Sequence, residues 1–189
     1  FADPIQGIDT FYSARKFFGV ADGAYLYTDA HLDIELEQDQ SYARMAHLLK
    51  RADLDAETGY ADFRKNDDSL SNNPIRLMSN LTEKILCSID YESAEQLRRS
   101  NYMQLDEQLI IKNGIHLRLD KDAVPMVYPY LTDDATLRQR LIDNRIYVAT
   151  YWANIDDQQQ GYEAILKNNL IPIPINQRVE DIKYRILNN

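Results

Sequence analysis

Lys16 is the residue whose type and setting could do the most chemistry. It lies in the segment DTFYSARKFFGVADGAYLYTD (residues 9–29), next to Arg15 and among Phe11, Tyr12, Phe17 and Phe18. Burying an ammonium is costly, so a lysine in an aromatic stretch either reaches water or is placed there to react. Partial desolvation and a neighbouring cation would both favour the free amine, the form that attacks a carbonyl carbon to give a Schiff base. Ser13 and Thr10 are hydroxyls close in sequence, of a type that binds a phosphate, and they are equally ordinary strand residues. A lysine that snorkels from a strand end is the plain structural alternative for Lys16.

Other candidates are weaker. Of the three histidines, His31, His47 and His116, only His31 has close carboxylates, Asp29 and Asp33, and no second His or Cys joins them in a metal-ligand spacing. The chain has no glycine-rich phosphate loop and no G-x-S-x-G elbow, which leaves nucleotide hydrolysis and serine-hydrolase chemistry without support. TYWAN (150–154) puts Tyr151 and Trp152 just past an expected strand, where α/β folds bind ligands, or else packs them in a core. Arg178, where a last helix should begin, is of a type that pairs with a substrate carboxylate or phosphate, and is otherwise a solvated surface arginine.

The elements expected to position these residues follow from periodicity. Residues 8–12 and 24–28 read as two strands joined across the turn signal Ala21-Asp22-Gly23, which puts Lys16 where strand gives way to loop. Tyr42, Met45, Ala46, Leu49 and Ala52 mark an amphipathic helix. The polar stretch DAETGYADFRKNDDSLSNNP reads as a loop with some helix in it, and long loops of this kind are often functional. From Ile75 to Leu109 the apolar spacing implies about thirty residues of helix, kinked near Ile89. Then come VPMVYPYL as strand, a helix capped by Thr132, IYVATYW as strand, a helix around Ala164, LIPIPI as an extended segment and a last helix over 179–187. The fold class is α/β, with one domain over 1–74 and another over 75–189. Residues 115–189 should form a compact subdomain with a small sheet.

Composition bounds the partners. The 189 residues carry a net charge of −9 and a pI near 4.8, which offers no basic face to nucleic acid or anionic lipid. A single cysteine, Cys87, cannot close an internal disulfide, and no apolar run approaches a membrane span, so a cytoplasmic protein is expected.

Taken in order, FYSARKFFGVADGAYLYT, LRRSNYMQLDEQL, VPMVYPYLT, IYVATYW and NNLIPIPINQRVEDIKYRI resemble the C-terminal half of a pyridoxal-phosphate-dependent aminotransferase of fold type I, of the DegT/DnrJ/StrS sugar-aminotransferase group. The resemblance covers nearly the whole chain by pattern and order. It implies that Lys16 forms the Schiff base with pyridoxal 5'-phosphate, that Ser13 or Thr10 helps hold the phosphate, and that Tyr151, Trp152 and Arg178 contact substrate. The family's lysine loop carries an acidic residue before two glycines, to which Ala21-Asp22-Gly23-Ala24 is an approximation. By the same resemblance the amino donor is an amino acid such as glutamate, the acceptor a nucleotide-linked keto-sugar, and the full-length enzyme a homodimer toward whose partner residues 53–73 reach. The large domain's main sheet, the pyridine-stacking residue and the pyridinium carboxylate would precede Phe1, and the isolated 189-residue chain should be inactive. A dehydratase of the same group would replace the lysine, usually with histidine. A non-catalytic binding or assembly module on the same fold is the alternative from another class.

Overall fold

A computed structural model describes residues 3–156 and 161–179, so the expected helix over 179–187 lies outside the described residues save for its first position. The chain divides into two compact units, one over Asp3–Asp90 and one that begins again at Tyr91. The division falls after Asp90 and not at residues 74–75, because the helix that follows Pro74 belongs to the core of the first unit. Helices and two small antiparallel sheets make up the described residues, which is the α/β expectation in coarse form.

In the first unit, β1 (Thr10–Ser13) and β2 (Ala24–Tyr27) pair antiparallel, with Thr10 opposite Tyr27 and Ser13 opposite Ala24. The hairpin expected from the Asp22-Gly23 turn is therefore present. A 3-10 turn, Ala14–Lys16, leads directly out of β1. Helix α1 (Ala46–Asp53) follows a short 3-10 turn at Tyr42–Arg44, in keeping with the periodic segment.

The polar stretch after it, expected as a loop with some helix in it, is mostly helix: α2 spans Ala56–Ser69. Asp55 starts it by accepting a hydrogen bond from the Thr58 N–H at 2.7 Å, a side-chain cap that satisfies one of the free donors of the first turn. Gly59 then lets α2 approach α1 closely: a Cβ there would stand 2.8 Å from the His47 carbonyl oxygen. The buried positions of α2 are Gly59 and Asn66, neither of them apolar in the usual sense, and that is why no hydrophobic stripe announced the helix.

The long helix expected to kink near Ile89 is interrupted there, as two helices, α3 (Asn80–Cys87) and α4 (Tyr91–Leu109). The Ser88 and Ile89 N–H groups bond three residues back, to Ile85 and Leu86, and the Ser88 hydroxyl donates to the Ile85 carbonyl at 2.7 Å. Such tightening ends an α-helix by offering its last carbonyls other partners. Leu86 of α3, fully buried, packs with Ala14 and Val20 to form the core of the first unit, with Phe18, Met78, Ile85 and Ile89 against it.

In the second unit, β3 (Val127–Leu131) pairs antiparallel with β4 (Leu170–Pro174), and Pro129 faces Pro172 at one register position, where the ladder needs neither N–H. Tyr102, Leu105 and Leu109 of α4 share a core with Tyr128, Tyr130, Ile171, Ile173 and Ile175, and with Leu137 and Leu141 of α5 (Leu137–Asp143). Tyr128 donates to the Asp106 carboxylate at 3.1 Å, and burial first, with that hydrogen bond, pushes its phenol up to about 12. Helix α6 (Tyr162–Asn169) runs straight into β4.

Two expectations fail here. The Thr132 hydroxyl accepts from the Asp134 N–H at 3.2 Å in a local turn, and α5 begins only after Thr136, whose own N–H and hydroxyl bond to Asp134. IYVATYW is not a strand: residues 146–150 carry no ladder and 151–154 form a turn. Ile146 and Val148 do alternate onto the core, but the Ile146 N–H bonds to Leu141 and the Ala149 carbonyl accepts from the Arg138 guanidinium at 2.8 Å. Alternation gives one face to the core, while a strand also needs a partner for its backbone. Among the described residues no helix is long and apolar enough to cross a membrane.

Candidate functional site

The segment from β1 to β2 carries Lys16, and buried polar contacts hold it in shape. Within it, the Ala14 N–H bonds to the Gly23 carbonyl at 3.1 Å, and the Phe17 and Phe18 N–H groups both bond to the Ala14 carbonyl. Gly23 has φ +95°, and a Cβ there would stand 2.9 Å from the Thr82 methyl group, so the turn against α3 admits glycine alone without adjustment.

Asp22 anchors the turn. One carboxylate oxygen accepts from the Thr82 hydroxyl at 2.6 Å and the other from Arg44 Nε at 2.7 Å, and Asp22 is nearly buried. Arg44 also donates to Asp39, so one guanidinium serves two carboxylates. Burial alone would push the Asp39 carboxyl up; the hydrogen bonds from Arg44 and the Gln40 N–H, with the charges of Arg44 and Arg76, outweigh it and hold the group below its ordinary value. The fully buried hydroxyl of Thr82 also meets Ser41 at 3.2 Å, and Ser41 meets Ser79, the residue that caps α3. Asp22 is thus tied to α3 and to the segment before α1.

At the other side α2 holds the same loop. Asn66 Nδ2 donates to the Ala21 carbonyl at 2.9 Å, and the Asp67 carboxylate accepts from the Arg15 guanidinium, which lies 5.9 Å from the Phe63 ring centre. The Arg15 hydrogen bond is the main cause that holds the Asp67 carboxyl below its ordinary value, and the charge of Lys16 adds to it. Lys16 itself is exposed. The Asp67 carboxylate engages Arg15, and the neighbouring aromatic residues do not enclose Lys16. Tyr12 packs edge-on to Tyr27 at 5.6 Å, Phe18 joins the Leu86 core, and Phe11 faces solvent.

For an aldehyde cofactor, the described residues fit the attachment point: a reachable amine on a turn fixed at both ends. They go no further by themselves. The Thr10 hydroxyl donates to the Ile8 carbonyl at 3.0 Å, and the Ser13 side chain does not cap the 3-10 turn, so neither hydroxyl is seen turned to the lysine turn.

Tyr151, Trp152 and Arg178 belong to the other compact unit. Tyr151 is half-buried, which pushes its phenol up, and its ring meets Trp152 edge-on at 5.8 Å. Trp152 is half exposed at φ +53°, a left-handed conformation that costs a non-glycine residue on the order of 1 kcal/mol. The Ile155 N–H closes that turn on the Trp152 carbonyl at 2.9 Å. Arg178 is exposed, its backbone N–H bonded to the Asn176 side chain. His31 and Asp33 form an exposed pair at 3.0 Å, and no cluster of metal-ligating side chains occurs among the described residues.

Asn66, Asp67, Asp22, Thr82 and Arg44 were not among the sequence candidates. Asp22 carried a signal, the Asp-Gly turn; the others carried none, since their partners are remote in sequence. No family model matches the chain, and no curated protein and no solved structure is found to match it.

Proposed function

We propose that this chain carries the cofactor lysine of a pyridoxal-phosphate-dependent aminotransferase of fold type I, of the DegT/DnrJ/StrS kind. The observation that supports it most is the reachable Lys16 amine on a turn fixed by Asp22 on one side and by Asn66 and Asp67 on the other, in the sequence context on which the resemblance rests. When bound, the cofactor supplies the electron sink that allows an amino group to pass between two carbons. Lys16 Nζ provides the covalent attachment and, once displaced by the amino donor, a base held at the end of a fixed turn that moves a proton. By the resemblance, the phosphate and ring contacts are those of the family's large domain, the donor is an amino acid such as glutamate, and the acceptor a keto-sugar linked to a nucleotide. Tyr151, Trp152 and Arg178 remain the proposed substrate contacts, and the assembly a homodimer in the cytoplasm.

Incubating the full-length protein with pyridoxal phosphate and glutamate should release 2-oxoglutarate, and Lys16→Ala should release none. Equal release from both proteins would refute the assignment of Lys16. One observation favours a second reading, a binding or assembly module: the β1–β2 hairpin leaves Phe11, Leu26 and Tyr27 exposed. A full-length protein that binds a partner chain but takes up no cofactor would support it.

A further inference from the structure

One face of α2 holds both flanks of the lysine turn. Phe63, Asn66 and Asp67 stand at i, i+3 and i+4, a spacing that puts them side by side on a helix. Asp67 takes the Arg15 guanidinium before the lysine, and Asn66 takes the Ala21 carbonyl after it. The segment between, Lys16 included, is held at two neighbouring points on a helix of fourteen residues, with Phe18 and Val20 packed in the Leu86 core. Asn66 is 5% exposed, and its Oδ1 is buried with no hydrogen-bond partner among the described residues. An unsatisfied buried carbonyl is destabilising, and an apolar residue would fill the place without it. The amide is therefore explained by what its other end does, which is to hold the loop.

We propose that α2 is the positioning element of the lysine: Asn66 and Asp67 fix where the Lys16 amine stands and hence how it meets a carbonyl carbon. This inference rests on the reading of Lys16 as the cofactor lysine. Asn66 and Asp67 act through the turn, so they are positioning residues and not catalytic ones.

The test compares the full-length wild type with Asn66→Leu, Asp67→Asn and, as control, Asp62→Asn, which sits on the same helix but pairs with Lys50 at 2.7 Å. Each protein is treated with pyridoxal phosphate and borohydride. The amine nitrogen bonds to the aldehyde carbon with loss of water, hydride adds to that carbon, and solvent protonates the nitrogen, leaving a stable secondary amine read by peptide mass spectrometry. In parallel, formaldehyde with cyanoborohydride labels any reachable amine. Misplacing a reacting group by about 1 Å can cost a hundredfold, so pyridoxyl labelling of Lys16 should fall about tenfold or more in both variants. It should stay unchanged in Asp62→Asn, with formaldehyde labelling of Lys16 equal in all four proteins. The pH dependence of the visible cofactor band should also move in the two variants. Asp67 is half exposed, so its variant keeps the fold even where Asn66→Leu does not.

Pyridoxyl labelling that matches wild type in Asp67→Asn would overturn the proposal. So would a fall that follows the loss of folded protein with the band's pH dependence unmoved, since α2 would then be scaffold alone. Wild type that labels Lys16 no faster than Lys84 with pyridoxal phosphate, yet readily with formaldehyde, overturns the cofactor reading and this inference with it.

Discussion

At the residue scale, the charge pair of Asp22 and Arg44 ties the lysine turn to the segment before α1. Asp22 is 9% exposed at its side chain and Arg44 16%, so their attraction is little screened by water. Each carboxylate oxygen of Asp22 has a donor, which is what makes a buried charge tolerable. Arg44→Met should therefore cost about 3 kcal/mol, because it leaves the carboxylates of Asp22 and Asp39 without their shared cation. Urea unfolding monitored on the full-length protein checks this, and a loss well under 1 kcal/mol would show that the pair is dispensable. The sign of the pH effect follows from Asp39. Its carboxyl is held below the ordinary value in the fold, so the stability it contributes is present above pH 4 or so and is lost as pH falls through the folded value. In Arg44→Met that acid-side loss should shrink.

At the element scale, α2 shows what sequence periodicity could and could not reveal. Its interior positions are a glycine and an asparagine, so a pattern built on apolar spacing passes over most of it. Gly59 lets the sign of a substitution be decided by magnitude. Alanine is the better helix former by about 1 kcal/mol, but its Cβ would meet the backbone carbonyl of His47 at 2.8 Å, and a backbone atom cannot swing aside. Gly59→Ala should thus destabilise the protein, by about 1–3 kcal/mol, and a stabilised variant in urea unfolding would mean that α1 and α2 are not so closely packed. Where the sequence was legible, the contacts were local or periodic: the β1–β2 hairpin across Asp22-Gly23, and the Tyr102, Leu105, Leu109 face of α4. The expected kink near Ile89 is a full break at Ser88, and residues 146–150 form no strand ladder, because side chains there take over backbone groups, which spacing alone does not show.

At the scale of the whole molecule, the chain divides into two compact units. The first presents Lys16, with Thr10 and Ser13 on the strand before it; the second holds Tyr151, Trp152 and Arg178. The lysine itself stood out from composition and order, whereas its grip did not, because Arg15 and Ala21 find their partners 52 and 45 residues away. The most direct measurement of the central claim is borohydride reduction of the full-length protein with pyridoxal phosphate, followed by mass spectrometry of the peptides. The account predicts a pyridoxyl group on Lys16, absent from Lys16→Ala, whose fold should persist because the lysine is exposed and fills no core volume. A pyridoxyl group on a different lysine, or none at all, would contradict it.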